Sequence, residues 1–334
     1  MPAVRELIEL RPEGLYCPAG DFYVDPWRAT STALITHAHA DHARTGAARY
    51  FAAAPGLAIL HQRIGADAAI HGLRYGESMQ LGSAQISLHS AGHILGSAQV
   101  RIEVDGQVCV VSGDYKRDPD PSCAPFEVVP CDMFVTEATF GLPVYRWPSM
   151  RSTITSMLDW WDEAARRKVP AVLFCYALGK AQRVLAELYQ RVPERMVYLH
   201  GAMVGLTQAY RDAGVAMVAT QAVSLDARSK DFAGELILAP PSASGATWMR
   251  RFTSASTGFA SGWMQIRGNR RRRGYDRGFV ISDHADWPGL IDTVRQTGAK
   301  RVYATHGNTE ALVAFLGENG TEAHTLRTEH GNEE

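Results

Sequence analysis

Short β-like runs of largely apolar residues dominate the first part of the chain. Turn-forming residues separate them, and the clearest are ALIT (33–36), AQISLHS (84–90), AQVRIEV (98–104), VCVVSGD (108–114) and MFVTEAT (133–139). Short runs of this kind, bounded by turn residues, are typical of β-strands. The pattern therefore predicts a sheet between about Leu15 and Thr139.

The periodicity becomes helical near Tyr145. The helical stretches STITSMLDWWDEAARR and KAQRVLAELYQRV flank the strand-like PAVLFCYAL. This rhythm predicts a parallel sheet covered by helices. Strand-like character returns near Gly262 with GWMQI, GFVISDH and RVYATHG, followed by the helical LVAFLGENG and the strand-like EAHTL. We expect an α/β domain at residues 145–265, inserted into a main domain formed by residues 1–144 and 266–334.

Composition adds little to this picture. The 334 residues are 46% hydrophobic and 21% charged, with a formal net charge of −1, which is ordinary for a globular protein and indicates no partner by bulk charge. The longest apolar stretch, residues 169–178, is too short to span a bilayer, and the N-terminal residues lack the apolar run of a secretory signal. We expect a cytoplasmic protein with no membrane partner. The five cysteines form no CxxC pair, which argues against a disulfide framework and a thiolate metal site.

The strongest chemical signal is the segment HAHADH (37–42), which follows the predicted strand ALIT. Side chains two residues apart in an extended segment point to the same side, so His37 and His39 can bind one ion. The next turn presents Asp41 and His42 to a second ion. Four candidate ligands in six residues predict a metal site.

More distant candidates each follow a predicted strand: His93, Asp114 and His306. Strand ends converge on one edge of a sheet. We expect His93 to join His37 and His39 on one ion, His306 to join Asp41 and His42 on the other, and Asp114 to bridge them. Imidazole and carboxylate ligands predict two divalent ions, with Zn²⁺ preferred and Mn²⁺ or Fe²⁺ as alternatives.

These motifs resemble those of the metallo-β-lactamase superfamily, in which Asp25 would correspond to a supporting aspartate of the first strands. Three further positions, Glu137 in VTEATFG, His284 in ISDHADW and His306 in ATHG, resemble the additional motifs of the β-CASP nucleases. The resemblance covers nearly the whole chain. It implies a metallo-β-lactamase αββα sandwich with an inserted β-CASP α/β domain, and a two-metal phosphodiesterase acting on nucleic acid.

Two features of this resemblance indicate different substrates, RNA and DNA. A histidine at position 306 is typical of RNA-processing members, whereas several eukaryotic DNA-repair members carry valine there. The compact length and the segments SGWMQIRG and RRRRGYDRGFVISDHADWPGL are most similar to bacterial ligase-associated DNA exonucleases. We therefore expect DNA in preference to RNA, a role in DNA repair, and a functional association with an ATP-dependent DNA ligase and a helicase.

The basic residues nearest these motifs are candidates for phosphate binding: Arg270, Arg271, Arg272, Arg273 and Lys180. Guanidinium groups bind phosphate bidentately, and an arginine run beside a phosphodiesterase site would hold a polyanion. A solvated surface is the alternative for the arginines. Ordinary helix-start chemistry is the alternative for Lys180, which lies at the beginning of a predicted helix.

The expected mechanism uses hydroxide activated by the two ions to attack the phosphodiester. Three residues are expected to take part in catalysis: Asp41, Glu137 and His284. Asp41 is a metal ligand, His284 is the general acid, and Glu137 is the carboxylate that orients His284. The resemblance implies a 5′-phosphate product. The alternatives are a β-CASP ribonuclease processing RNA ends, a hydrolase of small esters or thioesters, and a catalytically silent nucleic-acid scaffold.

Overall fold

The computed structural model describes residues 6–224, 228–252, 254–266 and 274–329, and the chain divides into two compact units. The first contains residues 1–145 and 284–334, and the second contains residues 146–283. The sequence placed the second junction at 265/266 instead. The difference arises because strand Arg277–Phe279 pairs with Ser256–Ala260 within the sheet of the second unit.

The first unit begins with a six-stranded sheet whose strands follow chain order. Its strands are β1 (Glu9–Arg11), β2 (Gly14–Cys17), β3 (Phe22–Val24), β4 (Thr32–Leu34), β5 (Arg49–Ala53) and β6 (Ile70–Leu73). The pairing is antiparallel up to β3 and parallel from β3 onward. Helix α1 (Leu57–Ile64) connects the last two strands.

A second sheet of the same unit has seven strands in the order β19-β18-β11-β10-β9-β8-β7. They are β7 (Ser78–Leu81), β8 (Ala84–Ser90), β9 (Ala98–Val104), β10 (Gln107–Val111), β11 (Met133–Glu137), β18 (Arg301–Thr305) and β19 (Glu322–Thr325). Strands β10, β11 and β18 are parallel neighbours. The carboxyl ends of these three strands therefore lie at one edge of the sheet.

The two sheets share one apolar core. Phe22 and Leu34 of the first sheet and Ile86 and Val100 of the second are fully buried in the same cluster. On the other face of the second sheet, helices α5 (Trp287–Thr297) and α6 (Thr309–Glu318) bury apolar side chains against Phe134 and its neighbours. The mixed α/β class predicted from the sequence is confirmed.

The second unit contains a six-stranded sheet in which every pairing is parallel. Its strands are β12 (Ala171–Phe174), β13 (Met196–Leu199), β14 (Ala219–Ala222), β15 (Leu236–Ala239), β16 (Ser256–Ala260) and β17 (Arg277–Phe279), and its helices are α2 (Met150–Arg166), α3 (Lys180–Tyr189) and α4 (Gly201–Asp212). The sheet order is β14-β13-β15-β12-β16-β17. Fully buried strands such as β12 are typical of a parallel sheet.

One predicted strand of this unit is wrong. The segment GWMQI forms a short 3₁₀ helix, Gly262–Gln265, because the Ser261 hydroxyl accepts a hydrogen bond from the backbone N–H of Trp263 and caps the turn. Local capping therefore outweighed the strand-like composition.

None of the helices in the described part of the chain is both long and apolar enough to span a lipid bilayer.

Candidate metal centre and catalytic pair

The parallel strands of the second sheet bring three candidate residues to one edge. Asp114 follows β10, Glu137 is the last residue of β11, and His306 follows β18. A carboxylate oxygen of Asp114 and one of Glu137 lie in a group of ligand atoms that are all within 4.8 Å of one another. Candidates that are far apart in the sequence thus converge at the carboxyl ends of adjacent strands.

The segment HAHADH reaches the same place from the first sheet. It follows β4, and the chain then turns tightly, with the Ala43 N–H donating to the His39 carbonyl over 2.8 Å. His93 comes from the loop between β8 and β9. The Ser97 hydroxyl accepts hydrogen bonds from the backbone N–H groups of His93 (3.0 Å) and Ile94 (3.2 Å), which fixes that loop.

The first ligand cluster consists of His37, His39, His93 and Asp114. The His39 Nδ1 atom lies 3.1 Å from both His37 Nε2 and His93 Nε2. The Asp114 Oδ2 atom lies 3.4 Å from His37 Nε2 and 3.8 Å from His93 Nε2. Metal–nitrogen distances of about 2.0–2.1 Å place ligand atoms at tetrahedral corners about 3.3–3.4 Å apart. These separations therefore fit the donor shell of one divalent ion.

The second ligand cluster consists of Asp41, His42 and His306, and their ligand atoms also lie within 4.8 Å of one another. The His42 Nε2 atom is 3.7 Å from Asp41 Oδ2 and 3.6 Å from Asp114 Oδ2. Asp114 thus contacts residues of both clusters, as a bridging carboxylate would. The nitrogen and oxygen donors, with no thiolate, suit Zn²⁺ and related divalent ions.

Asp25 supports the ligands through two contacts. Its Oδ2 atom accepts a hydrogen bond from the Nδ1 of His42 over 2.7 Å, which leaves Nε2 to face the second cluster. The Thr36 hydroxyl also donates to this carboxylate and lies 3.1 Å from His37 Nδ1. Carboxylate partners of this kind fix the tautomer and orientation of a ligating imidazole.

The backbone is strained at two of these positions. Asp25 has a φ of 43° and His306 a φ of 60°. Both lie in the left-handed region that residues other than glycine rarely adopt. Strain of this kind costs about 1–3 kcal/mol per residue and is found preferentially at functional sites.

The pKa values of the histidines reflect this crowding. Burial, together with the imidazoles of His42 and His93, holds the pKa of His37 well below its usual value. Burial also acts to lower the pKa of His42, but the carboxylates of Asp114 and Asp25 outweigh it and raise that pKa to about 10. The first cluster therefore keeps His37 in the neutral form that binds metal, while the second strongly favours positive charge.

Glu137 and His284 form a buried pair beside the first cluster. The His284 Nδ1 atom lies 2.8 Å from Glu137 Oε2, and the other carboxylate oxygen accepts a hydrogen bond from the Tyr115 N–H over 2.7 Å. The His284 ring lies 4.8 Å from that of His93. Asp114, Glu137 and His284 are also close enough together to hold an ion themselves. The geometry is thus open to two roles, an oriented proton donor or a further ligand.

Exposure differs across the centre. His37, His42, His93 and Asp114 are all buried, whereas His39, Asp41 and His306 are only partly buried. The side formed by those three residues is therefore the one that solvent reaches.

The basic candidates are placed differently from the ligands. Lys180 is 3% exposed, and its ammonium group lies 3.2 Å from Asp283 Oδ2, so it forms a buried ion pair instead of lying on an exposed phosphate-binding surface. The arginines 270–273 lie outside the described residues.

Three contributors were not identified from the sequence. Thr36 contacts both Asp25 and His37, Ser97 fixes the His93 loop, and the Tyr115 N–H holds Glu137. Thr36 and Tyr115 directly adjoin His37 and Asp114, so adjacency to the motifs is the signal that would have found them. Ser97 carries no such signal.

No protein-family model matches the chain. Among curated proteins, it is 29% identical to a probable DNA ligase from Opitutus terrae, over 93% of this chain and 30% of that protein. It is 31% identical to a ribonuclease from Thermus thermophilus, over 40% of this chain and 31% of that protein. An RNase J-like protein from Methanocaldococcus jannaschii is 24% identical over 41% of this chain and 35% of that protein.

The chain thus spans about a third of the length of these relatives. The ribonucleases among them fit the resemblance to the metallo-β-lactamase superfamily that the motifs carry. A solved structure of a protein of unknown function from Enterococcus faecalis is 12% identical, with a TM-score of 0.61, and the match covers 90% of this chain and 80% of that one. This likeness bears on the fold alone.

Proposed function

We propose that the chain is a two-metal nuclease of the β-CASP type that degrades DNA from an end. The observation that carries the proposal is the pair of ligand clusters joined by Asp114, with the Glu137–His284 pair beside them. A hydrolase of small esters needs no inserted domain. A nucleic-acid scaffold without catalytic activity does not need a full set of metal ligands.

In this proposal His37, His39 and His93 would hold one ion and Asp41, His42 and His306 the other, with Asp114 between the two clusters. Two such ions would supply positive charge that offsets charge on the phosphate oxygens, and they would lower the pKa of a water toward about 7. Burial keeps His37 in the neutral form, and the contact of Asp25 with the Nδ1 atom of His42 orients that imidazole.

The leaving oxygen of the phosphodiester needs a proton when its bond to phosphorus breaks. His284 is the proposed donor: Nδ1 faces Glu137, so Nε2 is the atom that carries the transferred proton. Glu137 is itself held by the Tyr115 N–H, which restricts rotation of the carboxylate. A general acid fixed in this way contributes about 10²–10⁴-fold to a rate.

DNA is proposed as the substrate because the alignment that covers 93% of this chain is to a part of a protein named as a probable DNA ligase. This relation also supports a functional association with a DNA ligase. A ribonuclease that processes RNA ends is the second candidate, favoured by the ribonuclease names of other relatives and by the histidine at position 306.

The test is one set of gels with the purified chain and Zn²⁺ or Mn²⁺. DNA and RNA of the same sequence, single-stranded and duplex, are labelled at the 5′ or the 3′ end. We expect DNA to be shortened from one end and RNA to be cleaved more slowly. Faster cleavage of RNA would favour the second candidate, and no cleavage of either by the metal-loaded protein would contradict a nuclease.

A further inference from the structure

Two cationic side chains in the first turns of helix α3 are buried in the second unit. Lys180 is 3% exposed, and Arg183, at 1% exposed, is the largest fully buried side chain among the described residues. Both contact the segment formed by Ser282 and Asp283. The Lys180 Nζ atom lies 3.2 Å from Asp283 Oδ2, and Arg183 Nη1 donates to the Ser282 carbonyl over 2.7 Å.

The start of helix α3 is itself firmly held. The Gly179 N–H donates to the side chain of Gln182 over 2.8 Å, and Gln182 Nε2 donates in turn to the Ala177 carbonyl over 3.0 Å. The Lys180 ammonium group also lies 4.6 Å above the ring of Tyr176. The two cations therefore extend from a fixed platform.

Burying these charges opposes folding. Desolvation of a buried ion pair can exceed its Coulombic gain, so apolar side chains of similar size often give equal or greater stability. An ion pair between Lys180 and Asp283 is consequently a poor way to stabilise the unit. The pair does fix the position of Asp283 relative to Lys180, because an unpaired buried charge at either residue would be strongly unfavourable.

The residue that follows Asp283 is His284, the proposed general acid. We propose that Lys180 and Arg183 are positioning residues: they hold the main chain at residues 282–283 so that the imidazole of His284 is delivered in the orientation that protonates the leaving group. This inference rests on the proposed function. It replaces the expectation of a phosphate contact for Lys180 with an indirect role.

The test compares two substrates that differ in their need for an acid. The leaving group of a nucleic acid is a poor one that needs a proton. In a nitrophenyl phosphodiester the leaving group is nitrophenolate, which departs without one. Lys180→Met should lower kcat on nucleic acid by about 10²-fold with little change in KM, because small misplacements of a catalytic group have effects of that size. Cleavage of the nitrophenyl ester and the metal content should stay at wild-type levels.

The double variant Lys180→Met with Asp283→Leu separates positioning from stability. Removing both members of the Lys180–Asp283 pair should recover the melting temperature that Lys180→Met loses, since Asp283 is then no longer left without its lysine. Turnover of nucleic acid should remain low. Arg191→Met is the matched control: Arg191 lies just beyond the C-terminal end of helix α3, and the substitution removes its ion pair with Glu187, 2.8 Å away.

The inference is overturned if Lys180→Met cleaves both substrates at the wild-type rate, if it loses metal, or if the double variant regains turnover together with stability. If the metal-loaded wild-type protein cleaves neither substrate, the proposed function fails and the inference fails with it. The wild-type measurement thus distinguishes the two failures.

Discussion

Asp114 is the residue on which both ligand clusters depend, because its Oδ2 atom lies within 3.8 Å of His37, His42 and His93. Replacing Asp114 with Ala should remove the bridging ligand, lower the bound metal from about two ions per chain and reduce hydrolysis to background. Elemental analysis and a nuclease assay measure the two effects. The exposed Asp67→Ala is the control, and an Asp114→Ala protein that retained both ions would rule out the bridging role.

His284 should behave differently from the ligands. We expect His284→Ala to keep its metals and to lose at least about 10²-fold in turnover of nucleic acid, while an activated phosphodiester is still cleaved, because only the poor leaving group needs a proton. His71→Ala, on an exposed strand position, is the control. Loss of metal in His284→Ala would show instead that Asp114, Glu137 and His284 form an ion site.

At the scale of elements, the loop that carries His93 depends on a close approach between two glycines. Gly96 has a φ of +77°, and a Cβ there would collide with the backbone of Gly56. Gly96→Ala should therefore cost roughly 3 kcal/mol or more and weaken metal binding through His93. Gly76→Ala is a matched control, since its φ is +76° but open space surrounds it. Its expected cost is about 1 kcal/mol. Urea unfolding compares the two variants, and equal losses would contradict the collision.

The sequence predicted some elements well and missed others for identifiable reasons. Strands β8 and β9 match the predicted residues 84–90 and 98–104 because each is a seven-residue run in which buried apolar residues recur at alternate positions, such as Ile86 and Leu88 or Val100 and Ile102. Most of the first sheet was missed, since strands such as Phe22–Val24 have three residues and depend on partners elsewhere in the chain. A segment of three residues is too short to show the alternation of apolar and polar residues that indicates a strand.

The grouping of the candidate ligands was more predictable than the fold around them. These residues adjoin predicted strands, and the geometry of strand ends brings them together. The burial of Lys180 could not be predicted in this way, because its partner Asp283 lies about 100 residues further along the chain and nothing local to the lysine indicates the contact.

At the scale of the whole molecule, the arginines at 270–273 should bind phosphate without taking part in hydrolysis. Replacing Arg271, Arg272 and Arg273 with Ala should weaken nucleic-acid binding while sparing a small phosphodiester. Each lost contact should flatten the slope of log K against log salt by about 0.9 on duplex DNA or about 0.7 on single strands. Binding titrations over a range of salt concentrations measure this, and an unchanged slope would assign these arginines to a solvated surface.

Metal removal should also be visible as a loss of stability. An ion that binds only the folded state stabilises it by about 4 kcal/mol when its free concentration is a thousand times the dissociation constant. Chelation should therefore lower the melting temperature by on the order of 10 °C, and added Zn²⁺ or Mn²⁺ should restore it. The Asp114→Ala protein is the reference and should respond little. A wild-type protein that melts identically with and without chelator would contradict metal binding.

Strand β18 pairs with β11, although the whole second unit lies between them in the chain. A ribosome adding about 5–20 residues per second needs about 8–30 s to synthesise the roughly 160 intervening residues. During that interval β11 has no partner on one side. The histidines at 37, 39 and 93 and Asp114 have all been made by then, but His306 has not. The nascent chain can thus assemble the first cluster early, and the second cluster is completed only after synthesis has passed the inserted unit.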